Sequence, residues 1–130
     1  MAKKLNLGVI FGSRSTEHEV SVISALQLMS KADPFKYEVI PVYISTLGEW
    51  FTGGPLWKLE TFRRFDPRTP GLIRVFPDLT ARSRALVAFR RGRLFTGETR
   101  YAAAVLDCAI PVLHGRHGED GTVQGMLELM

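Results

Sequence analysis

The chain has 130 residues, 45% hydrophobic, 10% aromatic and 23% charged, an ordinary globular composition that excludes disorder, collagen-like repeats and coiled coil and leaves room for one domain. A single cysteine, Cys108, excludes an internal disulfide framework and fits a reducing, cytoplasmic setting, and no apolar run approaches the roughly 20 residues of a membrane-spanning helix. The formal charge of +4 is unevenly placed, because residues 58 to 100 hold Lys58 and ten arginines against four carboxylates, an excess of +7 that leaves −3 elsewhere.

Leu5 to Phe11 is a short apolar run ending at Gly12, as expected of a buried strand in a parallel sheet. A polar turn, Gly12-Ser13-Arg14-Ser15-Thr16, leads into Val22, Ile23, Leu26 and Met29 at helical spacing. Thr16-Glu17-His18-Glu19 has the form of a capping box, so a helix is expected to begin near Thr16 and stop before Pro34. Tyr37 to Ile44, rich in β-branched and aromatic residues, predicts a second strand and completes a βαβ unit.

From Ser45 to about Arg82 the pattern dissolves into turn chemistry, as in Gly53-Gly54-Pro55 and Asp66-Pro67-Arg68-Thr69-Pro70-Gly71. Trp50 and Trp57 flank the first of these turns and suit satellite packing or a subunit contact. Arg84 to Phe95, with Gly92 between two apolar stretches, predicts a β-hairpin. The arginines of this middle region suit a solvated face. Its aromatics are not spaced as a base-stacking platform, so no nucleic-acid partner is expected. Ala102 to Leu113 predicts a third apolar strand with Cys108 as a small buried hydrophobe, and a last helical pattern runs through Val123, Met126, Leu127 and Met130.

Two segments share one design: a buried strand, a glycine-bearing turn, then a helix N-terminus with acidic residues. Backbone amides and the helix dipole converge at such turns, which makes them ligand sites in α/β sheets. The first, Gly12 to Ser21, is neither a dinucleotide fingerprint nor a P-loop, since Gly-x-Gly-x-x-Gly and Gly-Lys-Ser/Thr are absent. Glu17 and Glu19 here either complement the dipole or meet a ligand, and His18 is either exposed or supports the helix start. The second, His114 to Gly125, has four glycines within Gly115 to Gly125. Gly115 and Gly118 argue against a regular helix that would align His114 with His117, so no metal site is expected. His114, at a strand end, suits a ligand contact or a polar anchor.

Together, Ile10-Phe11-Gly12-Ser13-Arg14-Ser15-Thr16-Glu17-His18-Glu19-Val20-Ser21 and Leu113-His114-Gly115-Arg116-His117-Gly118-Glu119-Asp120-Gly121-Thr122-Val123-Gln124-Gly125 resemble the two N-terminal signatures of D-alanine–D-alanine ligases, in order and in separation. Tyr43-Ile44 followed by Gly48-Glu49-Trp50 resembles that family's region after its second strand.

The resemblance implies an α/β domain, a mainly parallel sheet flanked by helices of the Rossmann-like pre-ATP-grasp type, with a β-hairpin inserted in its middle. It also implies that residues 1–130 form only the N-terminal domain of a peptidoglycan-precursor ligase. In that family ATP phosphorylates the carboxylate of a first D-alanine, the amine of a second attacks the acyl phosphate, and a tetrahedral intermediate collapses to dipeptide, ADP and phosphate. Glu17 matches the glutamate that contacts the ammonium group of the first D-alanine and helps tie down a mobile loop. His114 matches the histidine beside that amino acid, and Val20 would line its pocket. ATP and Mg²⁺ (or Mn²⁺) would be bound by ATP-grasp domains following Met130, so the 130 residues alone are expected to be inactive.

The pattern around Gly125 to Met130 stops in mid-helix without a Gly, Asn or basic cap, as expected of a fragment. A homodimer is also implied, with no nucleic-acid or membrane partner. Ser13 departs from the family, which more often has a second glycine there. Two alternatives remain: a ligase joining D-alanine to D-lactate or D-serine, and a stand-alone module that binds a small ligand or dimerises.

Overall fold

The structure, a computed structural model, describes residues 3–14, 17–80, 82–92 and 97–113. The second glycine-rich segment from His114 onward, and the helix expected after it, lie outside the described residues. In chain order the elements are β1 (Leu5–Gly12), α1 (His18–Lys31), β2 (Tyr37–Ile44), β3 (Trp50–Thr52), a 3₁₀ turn (Gly54–Trp57), α2 (Glu60–Arg63), β4 (Ile73–Pro77), β5 (Ala85–Arg91), β6 (Glu98–Val105) and β7 (Cys108–Val112). The strands form one sheet in the order β6-β5-β4-β3-β2-β1-β7.

The expected βαβ unit is present. β1 pairs in parallel with β2 from Leu5↔Tyr37 to Gly12↔Ile44, and with β7 from Leu7↔Cys108 to Phe11↔Val112. The sheet is α/β as expected but mixed rather than mainly parallel, since β3, β4, β5 and β6 each join antiparallel to the strand before them. The reason lies in the connections: β2 reaches β3 through the five-residue turn Ser45–Glu49, and a reversal that short cannot make a parallel crossover.

Two further boundaries differ from expectation. The hairpin exists, but its ladder runs from Ala85↔Val105 to Arg91↔Glu98, so its second arm starts beyond Phe95 and its connection spans residues 92–97. The single strand expected over Ala102–Leu113 is two strands divided at Leu106-Asp107. No glycine or proline marks that break. Asp107 accepts the Asn6 amide at 2.7 Å and donates its own amide to the Asn6 carbonyl, Asn6 Nδ2 donates to the Val105 carbonyl, and Leu106 donates to the Arg84 carbonyl.

Alternation along β1 builds both halves of the core. Leu7, Val9 and Phe11 face α1 and pack with Val22, Ala25, Met29, Tyr43, Phe51 and Leu56. Ile10 lies on the opposite face with Val42, Ile44, Val75, Leu86, Ala88, Leu106 and Leu113, so β1 is covered there by the β5–β6 hairpin. Gly8 leaves room for Leu106, the residue that follows β6: a Cβ on it would stand 2.7 Å from Leu106 Cδ1. On α1 the buried stripe is Ser21, Val22, Ala25 and Met29, while Ile23, expected in the core, lies one 100° step off the stripe and is 51% exposed.

Candidate functional site

The carboxyl ends of β1, β2 and β7 meet at one edge, and the chain leaves β1 there through consecutive left-handed residues, Gly12 (φ +96°) and Ser13 (φ +85°). Gly12 is required: a Cβ on it would lie 2.2 Å from the Ile44 carbonyl oxygen and 2.9 Å from the Tyr43 ring. Ser13 holds a conformation that costs a residue with a side chain roughly 1–2 kcal/mol. Neighbouring hydrogen bonds fix it there.

Three groups make that clamp. The Ser13 amide donates to the Ile44 carbonyl at 2.8 Å. The Gly12 amide donates to Ser21 Oγ at 2.8 Å, and Ser21 Oγ in turn donates to the Val112 carbonyl. One buried hydroxyl on α1 thus ties the end of β1 to the end of β7. The third group is His18, whose Nδ1 lies 2.7 Å from the Ser13 carbonyl oxygen and whose Nε2 lies 2.7 Å from the Tyr43 hydroxyl.

Tyr43 is itself boxed in. Its ring packs against Phe62 (4.9 Å between centroids), Phe65 (4.8 Å), Phe11 (5.6 Å) and the His18 imidazole (5.3 Å). Burial in this box pushes the Tyr43 phenol up to about 12, which keeps it a neutral donor and acceptor.

Glu17 occupies the N-cap of α1, with its carbonyl accepting the Ser21 amide at 3.2 Å. The helix starts at His18, two residues later than expected, and Thr16 of the capping box lies outside the described residues. Glu17 and Val20 are both exposed, Val20 by 52%, at the edge where the strand ends converge. His18 supports the turn, the second of the two roles expected for it, and lines a recess of about 230 Å³ with Glu19, Val22, Ile23, Leu59, Phe62 and Arg63. His114 lies outside the described residues, one position beyond the buried Leu113. Cys108 is half-buried in β7. Trp50 packs on the hairpin side of the core, and Trp57 is 45% exposed.

Sequence reasoning assigned no role to Ser21 or Tyr43. Ser21 carried a usable signal, a hydroxyl inside an apolar helical stripe, which normally marks a buried partner.

With this geometry in place, comparison with known proteins is decisive. The family described as D-ala D-ala ligase N-terminus matches residues 6–130. The chain belongs to that family. The D-alanine–D-alanine ligase of Thermosipho melanesiensis is 41% identical over 125 residues, 96% of this chain and 32% of the relative, and that of Rhodococcus jostii is 40% identical over 134 residues, 97% and 34%. Among solved structures, VanG D-Ala:D-Ser ligase from Enterococcus faecalis superposes with a TM-score of 0.76 at 29% identity, covering 98% of this chain and 34% of that one. The D-alanine–D-alanine ligase of Coxiella burnetii gives 0.70 at 28% identity, with the same coverage. The chain therefore spans about a third of the length of the ligases it matches.

Proposed function

We propose that residues 1–130 form the substrate-binding first domain of an ATP-dependent ligase that joins D-alanine to a second D-amino acid for peptidoglycan precursor synthesis, with Glu17, Val20 and His114 addressing the first D-alanine. The observation that carries this reading is the Ser21 bridge. It joins Gly12, within the first signature, to Val112, the residue before the second signature begins at Leu113, so both signatures issue from one end of the sheet.

The chemistry suits the residues. A carboxylate at Glu17 accepts charge-assisted hydrogen bonds from an ammonium group, and the exposed Val20 one turn on offers an apolar contact for a methyl group. The imidazole of His114 supplies a donor for the substrate carboxylate. Holding the amino acid in place is a large part of what a ligase contributes to joining two substrates.

Among the described residues no group of three or more His, Cys, Asp or Glu could hold a metal ion. ATP and Mg²⁺ belong, on this reading, to the two thirds of the ligases that this chain does not match, and no step through either is assigned to residues described for this chain. Among the described residues no helix is long and apolar enough to cross a membrane. A cytoplasmic homodimer follows from the same reading, with the Trp- and Arg-rich middle as its candidate contact.

The test is kinetic, on the full-length protein. Glu17→Gln removes a charge-assisted bond worth about 1.5–3 kcal/mol, so KM for the first D-alanine should rise roughly ten- to a hundredfold while KM for ATP stays nearly constant. Equal rises in both would remove Glu17 from the D-alanine site. Product identification with D-alanine, D-serine and D-lactate in competition decides the second substrate.

A further inference from the structure

The Gly12–Ser13 turn is held from three sides, and one of the holding groups has a defined polarity. The Ser13 carbonyl oxygen can only accept, so the hydrogen in its 2.7 Å contact belongs to His18 Nδ1. A neutral imidazole then presents a bare Nε2, and the Tyr43 hydroxyl, 2.7 Å away, donates to it. Every group in the relay Tyr43 O–H to Nε2, Nδ1–H to the Ser13 carbonyl is satisfied. The Tyr43 ring that carries this hydroxyl is itself held between Phe11, Phe62 and Phe65.

We infer that His18 is a positioning residue for the D-alanine site: as the Nδ1–H tautomer, oriented by Tyr43, it clamps the Ser13 carbonyl and fixes the left-handed turn from which Glu17 is presented. The inference rests on the function proposed above for Glu17. His18 touches no substrate and acts through the backbone. The turn needs such a clamp because Ser13, with φ at +85°, has a side chain where a glycine would adopt the same backbone freely.

The relay makes two variants differ in a way that mere loss of packing does not. An asparagine at position 18 keeps an amide donor where Nδ1 stands, whereas a glutamine reaches the Nε2 position and Tyr43 but leaves the Ser13 carbonyl. In the full-length protein His18→Gln should raise KM for D-alanine about tenfold with kcat and KM for ATP little changed, and His18→Asn should stay within about threefold of wild type. Adding Ser13→Gly to His18→Gln should recover much of the loss, because glycine holds the turn without a clamp. In ¹⁵N-histidine-labelled protein, two- and three-bond ¹H–¹⁵N correlations should show His18 as the Nδ1–H tautomer, the signal being assigned by its loss in His18→Asn.

An Nε2–H tautomer, equal behaviour of Gln and Asn in an active protein, or parallel rises in KM for D-alanine and ATP would each overturn the role of His18. A wild-type protein without D-alanine-dependent phosphate release from ATP would overturn the ligase reading instead.

Discussion

The parallel end of the molecule, β2-β1-β7 with α1, and its antiparallel middle, β3 to β6, solve different problems. β1 is covered on both faces and buried from Leu7 to Gly12, so its exit turn is held with little freedom. β6 is largely exposed, and some of the middle's arginines form surface pairs: Arg68 with Asp66, Arg74 with Glu49, Arg100 with Asp78 at 2.8 Å, and Arg84 with Asp107 at 3.6 Å. Pairs of this kind contribute little to stability. The middle reaches the candidate site through Phe62 and Phe65 alone among its aromatic contacts with Tyr43. The difference teaches that one half holds the candidate site while the other closes the core behind it.

The most direct way to break the parallel end is Gly12→Ala. A Cβ 2.2 Å from the Ile44 carbonyl, added to a left-handed φ, should cost at least about 3 kcal/mol in urea unfolding and should also weaken D-alanine binding. The matching insult to the middle is Leu86→Ala, at a fully buried position in β5. It should cost about 2–4 kcal/mol of stability yet leave KM for D-alanine within about twofold among molecules that remain folded. Comparable loss of binding in both variants would erase the division of labour.

A gentler probe sets the two halves apart by pH. With Tyr43 pushed up to about 12 from 10.0, the folded state keeps a proton that the unfolded state releases above pH 10. Stability from this group is therefore constant below pH 10 and falls as pH rises from 10 to 12. In the middle, the Ser83 hydroxyl, then Thr80 and the Arg100 guanidinium, hold Asp78 down to about 2 from 3.8. Its contribution is present above pH 3.8 and is lost as pH falls toward 2. Urea midpoints measured across both ranges should show a flatter alkaline slope in Tyr43→Phe and a flatter acid slope in Asp78→Asn, each without touching the other, the rest of the acid slope coming from Asp66, which the backbone hydrogen bond from Arg68 holds low. Tyrosinate absorbance should show one of the chain's three tyrosines ionising late in the wild type.

These contrasts also explain what could be read in the sequence. β1, α1 and β2 announce themselves because burial on both faces demands unbroken apolar runs and a helical stripe of fixed period. Glu17 and Val20 come from the family resemblance of the segment at the start of α1, and both are exposed there. The clamp was hidden because its partners are remote: His18 and Tyr43 are 25 residues apart, and Ser21 and Val112 are 91. Phe62 and Phe65 lie in and just beyond a four-residue helix, too short to show any period. The break at Leu106-Asp107 was missed because an aspartate bonding to Asn6 does the work usually signalled by glycine or proline.

The smallest expected effect tests how fully the parallel end compensates its own strain. Ser13→Gly removes a left-handed serine worth roughly 1–2 kcal/mol of strain but adds backbone freedom to the unfolded chain worth roughly 0.5–1 kcal/mol and deletes the contacts of the serine side chain. These terms oppose, so the unfolding free energy should move by no more than about 1 kcal/mol. Ser13→Val sharpens the reading, since a β-branched residue at φ +85° is a true outlier and should cost about 2 kcal/mol or more. If valine were tolerated as well as glycine, the turn would not be left-handed in solution, and the clamp from Ile44, Ser21 and His18 would be holding nothing under strain.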